Sequence, residues 1–232
     1  MRERVVCAIL NTERSGFSGK CDQKNYSIAN VGNMGVWIWY PEEMGEPLPC
    51  ILFLHGAGER GRDFDTLCVQ GLPKYLAAGR EIPAVVVCPQ CPEGYVWDNL
   101  IFQLDQIVAD AINDYPVDSS RVSLTGLSMG GFGAWSYAIT RPRTFFRLAP
   151  ICGGGMNWRA STLKNIPVWA FHGQADDDVP RVYSEVMVDA VNAKGGDAVL
   201  TQFPGVGHNS WDPAYLTTDL IPWLLGEDVE RK

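Results

Sequence analysis

Residues 121–135 read Arg-Val-Ser-Leu-Thr-Gly-Leu-Ser-Met-Gly-Gly-Phe-Gly-Ala-Trp, and no other stretch of the chain restricts the possible folds as sharply. A short strand is expected over 122–125, a helix is expected to begin near Met129, and only a tight turn joins them. So abrupt a reversal brings neighbouring backbone close and leaves little room for Cβ atoms on either side of Ser128. Glycine stands at both flanking positions, Gly126 and Gly130. Such a turn would project the Ser128 hydroxyl from the carboxyl end of a central strand. The partial positive end of the following helix would then face any negative charge developing there. The same residues without that strand and helix would be an ordinary glycine-rich turn, so the context carries the reading.

Elsewhere, short apolar runs alternate with segments of helical period. Strands are expected at 36–40, 50–54, 84–88, 148–152, 168–171 and 198–203, their nearly continuous apolar character pointing to burial on both faces. Ile101, Leu104, Ile107, Val108, Ala111 and Ile112 recur at three- and four-residue intervals, as do Val182, Val186, Val188 with Met187 beside them, and Val191, which marks two amphipathic helices. Strands alternating with helices imply parallel crossovers. The expected fold class is α/β, a three-layer α/β/α sandwich on a mostly parallel sheet of about eight strands. An antiparallel N-terminal part would join it through the turn-rich segment 41–49. With no repeat, low-complexity tract or long linker, residues 1–232 read as one domain, and 227–232 read as a solvated charged tail.

Composition narrows the partners. A formal net charge of −8, with basic residues scattered rather than clustered, would repel a phosphate backbone, so nucleic acid is not expected as a partner. No stretch approaches the roughly 20 apolar residues of a membrane span, and 1–15 lacks the pattern of a secretory signal, which makes a cytoplasmic location the expectation. Seven cysteines, an odd number spread through apolar runs, read as reduced thiols serving as small hydrophobes. Cys88-Pro89-Gln90-Cys91 has the spacing of a metal or redox pair, but no second pair lies near it in sequence. No metal and no cofactor is expected.

Around Ser128 the sequence resembles the α/β-hydrolase superfamily, particularly its small carboxylesterases and prolyl-oligopeptidase-like peptidases. The resemblance extends over about residues 25–225 and rests on four motifs in the family's order. The second is His55-Gly56-Ala57-Gly58-Glu59-Arg60-Gly61, which looks like the family's oxyanion loop. The resemblance implies backbone N–H donors at Ala57 and Met129 and a structural histidine at 55; Glu59 and Arg60 read as solvent-facing or loop-bracing. The third, His172-Gly173-Gln174-Ala175-Asp176-Asp177-Asp178-Val179-Pro180, resembles the acid loop and in that register implies Asp176 as the acid. Three adjacent carboxylates could also suggest calcium, but the alternating ligands and central glycine of an EF-hand are missing. The fourth, Phe203-Pro204-Gly205-Val206-Gly207-His208, sets a histidine in a glycine-bounded loop. The other two histidines close strands in His-Gly steps, so His208 is the natural base.

The order Ser128, Asp176, His208 is that of α/β hydrolases and differs from those of chymotrypsin and subtilisin. The implied activity is hydrolysis of a small carboxylic ester through an acyl-enzyme, with the rate falling on acidification as His208 takes a proton. Short strand connections leave no space for a large lid. Trp97 and Trp158, in loops near the carboxyl edge of the sheet, are candidates for stacking on substrate, whereas Trp135 reads as core. Two rivals stand beside this reading. One is a peptidase using the same triad, although no propeller-like domain is present to gate peptides; the other is a non-catalytic binding protein on the same scaffold. Serine at 128 excludes a cysteine-nucleophile hydrolase of the dienelactone type.

Overall fold

The computed structural model describes residues 5–6, 19–28, 32–42 and 46–232. Cys7, most of 1–15 and part of the expected turn segment 41–49 lie outside the described residues. Among the described residues nine strands form one sheet: β1 (Val5–Val6), β2 (Gly19–Ile28), β3 (Gly32–Pro41), β4 (Leu48–Leu54), β5 (Val85–Pro89), β6 (Val117–Leu127), β7 (Arg147–Ile151), β8 (Val168–Gly173) and β9 (Ala198–Phe203). Their spatial order is β1-β2-β3-β5-β4-β6-β7-β8-β9. The first two pairings are antiparallel and β3 also runs antiparallel to β5; every pairing from β5 through β9 is parallel. The expected eight strands thus acquire a two-residue edge partner, and the antiparallel part is the N-terminal one.

Seven α-helices among the described residues connect and cover the strands: α1 (Phe64–Leu67), α2 (Gly71–Ala77), α3 (Ile101–Asp114), α4 (Met129–Thr140), α5 (Val182–Ala193), α6 (Trp211–Thr217) and α7 (Leu220–Leu225). Strand residues alternate faces, and here each face meets a separate helical layer. Leu52, Val87, Leu124, Leu148 and Val168 pack with Leu104, Ala134 and Val191 of α3, α4 and α5. Ile51, Phe53, Val86, Ala149 and Phe171 pack with Leu72, Tyr215 and Leu224 of α2, α6 and α7. With β5, β7 and β8 buried along their whole length, the continuous apolar runs are explained by cover on both sides.

Several elements carry weaker signals. In β2, Gly-Lys-Cys-Asp-Gln-Lys-Asn-Tyr-Ser-Ile is too polar to read as a strand by composition; its pairing with β3 along ten residues makes it one. α2, α6 and α7 are six or seven residues long, and each carries proline at its third position: Pro73, Pro213 and Pro222. Proline breaks a helix interior but fits the first turn, where its missing N–H would have had no partner. The tail is exposed at Glu227, Asp228, Glu230 and Lys232, as expected, but Arg231 ties it to the sheet. Arg231 lies over the Trp223 ring at 5.6 Å, donates to the Val168 carbonyl at 3.0 Å and pairs with Asp197. Arg147, itself buried, donates to the Glu227 carbonyl at 2.8 Å. No described helix is long and apolar enough to cross a membrane. The β7–β8 connection holds only a 3-10 stretch, Asn157–Leu163, so among the described residues that connection supplies no large lid over the carboxyl edge.

Candidate active site

The turn at Ser128 has the strain its glycines foretell. Ser128 adopts φ 53° and ψ −116° as the residue preceding α4, a conformation that side-chain-bearing residues rarely occupy. A Cβ on Gly130 would stand 1.9 Å from the Leu54 carbonyl oxygen, and one on Gly126 would stand 2.4 Å from that of Gly130. The backbone of β4 and the turn therefore interlock, and neither position has space for a side chain. The Ser128 amide donates to the Ile151 carbonyl at 3.0 Å, which holds the turn against β7.

Asp176 and His208 come to the same rim from the ends of β8 and β9. His208 Nε2 lies 2.9 Å from Ser128 Oγ, and its Nδ1 lies 2.8 Å from Asp176 Oδ2. The sequence separations are 80 and 32 residues. The acid and base loops are stitched together by backbone. Gln174 N–H donates to Phe203 and Ala175 N–H to Val206, at 3.0 and 2.9 Å. A Cβ on Gly173 would meet the Gly207 carbonyl oxygen at 2.1 Å, so that glycine is what permits the approach. Asp176 Oδ1 accepts the amides of Asp178 and Val179 at 3.0 and 2.9 Å. Burial pushes the Asp176 carboxyl up, but the hydrogen bonds from His208 and these amides outweigh it and hold the group below the usual carboxylate range. Asp177 and Asp178 make no bond to either histidine; the carboxylate facing His208 is that of Asp176. The imidazole stands edge-on to Trp211, ring centroids 5.4 Å apart, while its side chain stays 21% exposed and open to solvent.

The loop after β4 is braced from below. His55 is fully buried; its Nδ1–H donates to the Gly56 carbonyl at 2.6 Å while Nε2 accepts the Cys91 amide at 2.9 Å. A carbonyl on one side and an N–H on the other require the neutral ring with its proton on Nδ1. Burial moves its pKa down to about 4, in keeping with that form. Glu59 is also buried and accepts the Gly56 amide at 2.8 Å, so it braces the loop. Ala57 and Met129 each begin a helical turn, the positions whose N–H groups have no acceptor within the helix.

Trp97 departs from expectation. It is fully buried, stands 4.9 Å from the His55 ring, and its Nε1–H donates to the His55 carbonyl at 2.9 Å. Its ring cannot stack on substrate; it anchors the loop instead, because the 3-10 turn Trp97–Leu100 tucks inward beneath α4, and a Cβ on Gly133 would strike it at 2.5 Å. Trp158 is 75% exposed. A pair not anticipated from sequence stands on the helix that follows the serine and on α5. Phe132, one helical turn after Ser128, meets Tyr183 at 5.7 Å, both against Gly154. Its signal was the i+4 spacing from the serine, which only a helix starting at 129 makes visible.

Cys152, Asp176 and His208 have one donor atom each within 4.8 Å of one another, the composition of a metal site. The fit is poor, since Asp176 and His208 engage each other and burial pushes the Cys152 thiol up to about 12, leaving it protonated. Cys88 and Cys91 are both buried free thiols. A cleft of about 380 Å³ between Trp39, Tyr40, Leu76, Ile82 and Pro83 lies at the opposite, amino end of the parallel strands, remote from Ser128.

Known proteins can now be set beside this geometry. A crystal structure of a thermostable esterase superposes with a TM-score of 0.76 at 29% identity, covering 87% of this chain and 61% of that one. A feruloyl esterase module from Clostridium thermocellum shares the fold, with a TM-score of 0.70 at 15% identity, covering 100% of this chain and 96% of its own. Poly(3-hydroxyalkanoate) depolymerase C of Paucimonas lemoignei is 27% identical over 140 residues, which is 54% of this chain and 32% of the relative. The chain therefore spans about a third of that curated relative. The dienelactone hydrolase family model matches residues 96–213, just over half of the 232-residue chain, including the turn at 128 and the loops that carry Asp176 and His208. That span sets the expectation drawn from serine at 128 in its proper bounds: it rules out a cysteine nucleophile at that position and says nothing against the kinship. The chain belongs to the dienelactone hydrolase family and carries serine at position 128.

Proposed function

We propose that the protein is a serine carboxylesterase that hydrolyses carboxylic esters with Ser128 as nucleophile, His208 as general base and acid, and Asp176 as the group orienting His208. The observation that carries this reading is the unbroken relay from Ser128 Oγ to His208 Nε2 at 2.9 Å and from His208 Nδ1 to Asp176 Oδ2 at 2.8 Å, ending in an ionised carboxylate. Asp176 selects the tautomer with the proton on Nδ1, which leaves the Nε2 lone pair facing the hydroxyl. As Ser128 Oγ bonds to the ester carbonyl carbon, its proton passes to Nε2. The carbonyl π pair moves to oxygen, where the free amides of Ala57 and Met129 would stabilise it. Collapse expels the alcohol with the proton from Nε2 and leaves an acyl-enzyme. Water, deprotonated by the same nitrogen, then releases the acid and restores the serine.

The absence of a lid over the described carboxyl edge, the partly exposed His208 and the apolar Phe132–Tyr183 pair support an open site that takes accessible esters with apolar or aromatic acyl groups. Trp158, exposed on the same rim, is a candidate outer contact for such a group. The test is a panel of p-nitrophenyl esters, from acetyl to aryl-acyl, run beside peptide anilides and fluorophosphonate labelling. Ester turnover and labelling are expected, both abolished by Ser128→Ala. Equal turnover by the alanine variant would overturn the assignment, anilide cleavage in place of ester cleavage would make it a peptidase, and an unlabelled, inactive protein would be a binding scaffold.

A further inference from the structure

His172 is a buried histidine for which the relay above has no use, and its surroundings fix its protonation. Its Nε2 faces two acceptors, the Val179 carbonyl oxygen at 2.8 Å and Asp176 Oδ2 at 3.3 Å, so Nε2 must carry a proton. Its Nδ1 faces Ser184 Oγ at 2.7 Å, and the Ser184 hydroxyl in turn lies 2.8 Å from the Gly153 carbonyl oxygen. A carbonyl cannot donate, and serine has one proton to give. If that proton went to Nδ1, two oxygen atoms would face each other at 2.8 Å with nothing between them. If it goes to Gly153, Nδ1 must donate to Ser184. Only a ring protonated on both nitrogens satisfies every contact at once.

We infer that His172 is a positioning residue held as a buried imidazolium, ion-paired to the face of Asp176 Oδ2 that His208 leaves free. The inference rests on the relay proposed above. A cation fully removed from water is stable only beside an opposite charge, and the Asp176 carboxylate, itself unexposed, supplies it. Asp176 is thereby gripped from four directions: two amides on Oδ1, His208 and His172 on Oδ2. The other ionisable groups in reach do not compete. Glu185, next to Ser184 on α5, is taken by Gln202 of β9 at 2.9 Å and by Arg181 at 3.3 Å, and Cys152 is a neutral thiol. The functional consequence follows from charge. A carboxylate anchored on that side keeps Oδ2 fixed for His208, so losing the His172 contact would loosen the relay without any contact to substrate being lost.

Only three histidines are present, and His55 holds a single tautomer, so the ring nitrogens can be read directly by long-range nitrogen–proton NMR of the intact protein, assigned with His172→Gln. Two protonated nitrogens are expected for His172 at neutral pH. One protonated and one pyridine-type nitrogen would overturn the inference, whatever the variant does. The second measurement separates kcat from KM for an ester. His172→Gln removes the charge while its amide can still donate to Val179, and kcat is expected to fall about tenfold with KM little changed. An unmoved kcat in a folded variant would likewise refute the positioning role. If Ser128→Ala proved active, the relay would fall, while the NMR result would still decide the state of His172.

Discussion

The strain at Ser128 predicts a reversal of the usual ranking of alanine and glycine. Both Ser128→Ala and Ser128→Gly delete the hydroxyl and its 2.9 Å contact with His208, so that loss cancels between them. What differs is the Cβ at φ 53° and ψ −116°. At an unstrained position glycine is less stable than alanine by about 0.5–1 kcal/mol, because its unfolded chain is more flexible. A side-chain-bearing residue in a sparsely populated region costs about 1–3 kcal/mol, which glycine escapes. The second effect outweighs the first, and Ser128→Gly is expected to exceed Ser128→Ala by about 1 kcal/mol. For a chain of this size that corresponds to about 2–4 °C in Tm. Urea titrations of the two inactive variants, followed by tryptophan fluorescence, give the comparison directly. A glycine variant that unfolds at lower urea than the alanine variant would show that the turn is not strained at Ser128.

Two further outcomes follow from the braced loops. Burial lowers the His55 pKa to about 4 from 6.5. The unfolded chain therefore binds a proton that the folded chain refuses as pH falls from about 6.5 to 4, and roughly 3 kcal/mol of stability is lost across that window. Wild-type urea midpoints should fall more steeply between pH 7 and 4.5 than those of His55→Asn; parallel slopes would contradict the neutral buried ring. Gly173→Ala puts a Cβ 2.1 Å from the Gly207 carbonyl oxygen and drives the base loop off the acid loop. A displacement near 1 Å is expected to lower kcat/KM by about 100-fold with far-UV dichroism unchanged; unaltered turnover would mean the two loops adjust independently.

Much of this was legible along the chain because it depends on local sterics. Gly126, Ser128 and Gly130 announce a strand–turn–helix, since only glycine tolerates backbone contacts of 1.9–2.4 Å. The apolar runs at β4, β5, β7 and β8 announce strands covered on both faces, since nothing else makes such runs soluble. What lay beyond reach depended on partners distant in sequence. β2 is a strand only through β3, and Arg231 ties down a tail that by composition looks solvated. Trp97 and Trp158, indistinguishable as loop tryptophans, separate into a buried anchor of the His55 carbonyl and an exposed surface ring. His172 reads as a strand-closing residue until Asp176, Val179, Ser184 and Gly153 are seen around it. Steric needs and hydrophobic period are written locally, whereas the charge state of a buried ring is set by which donors and acceptors the fold brings within 3 Å.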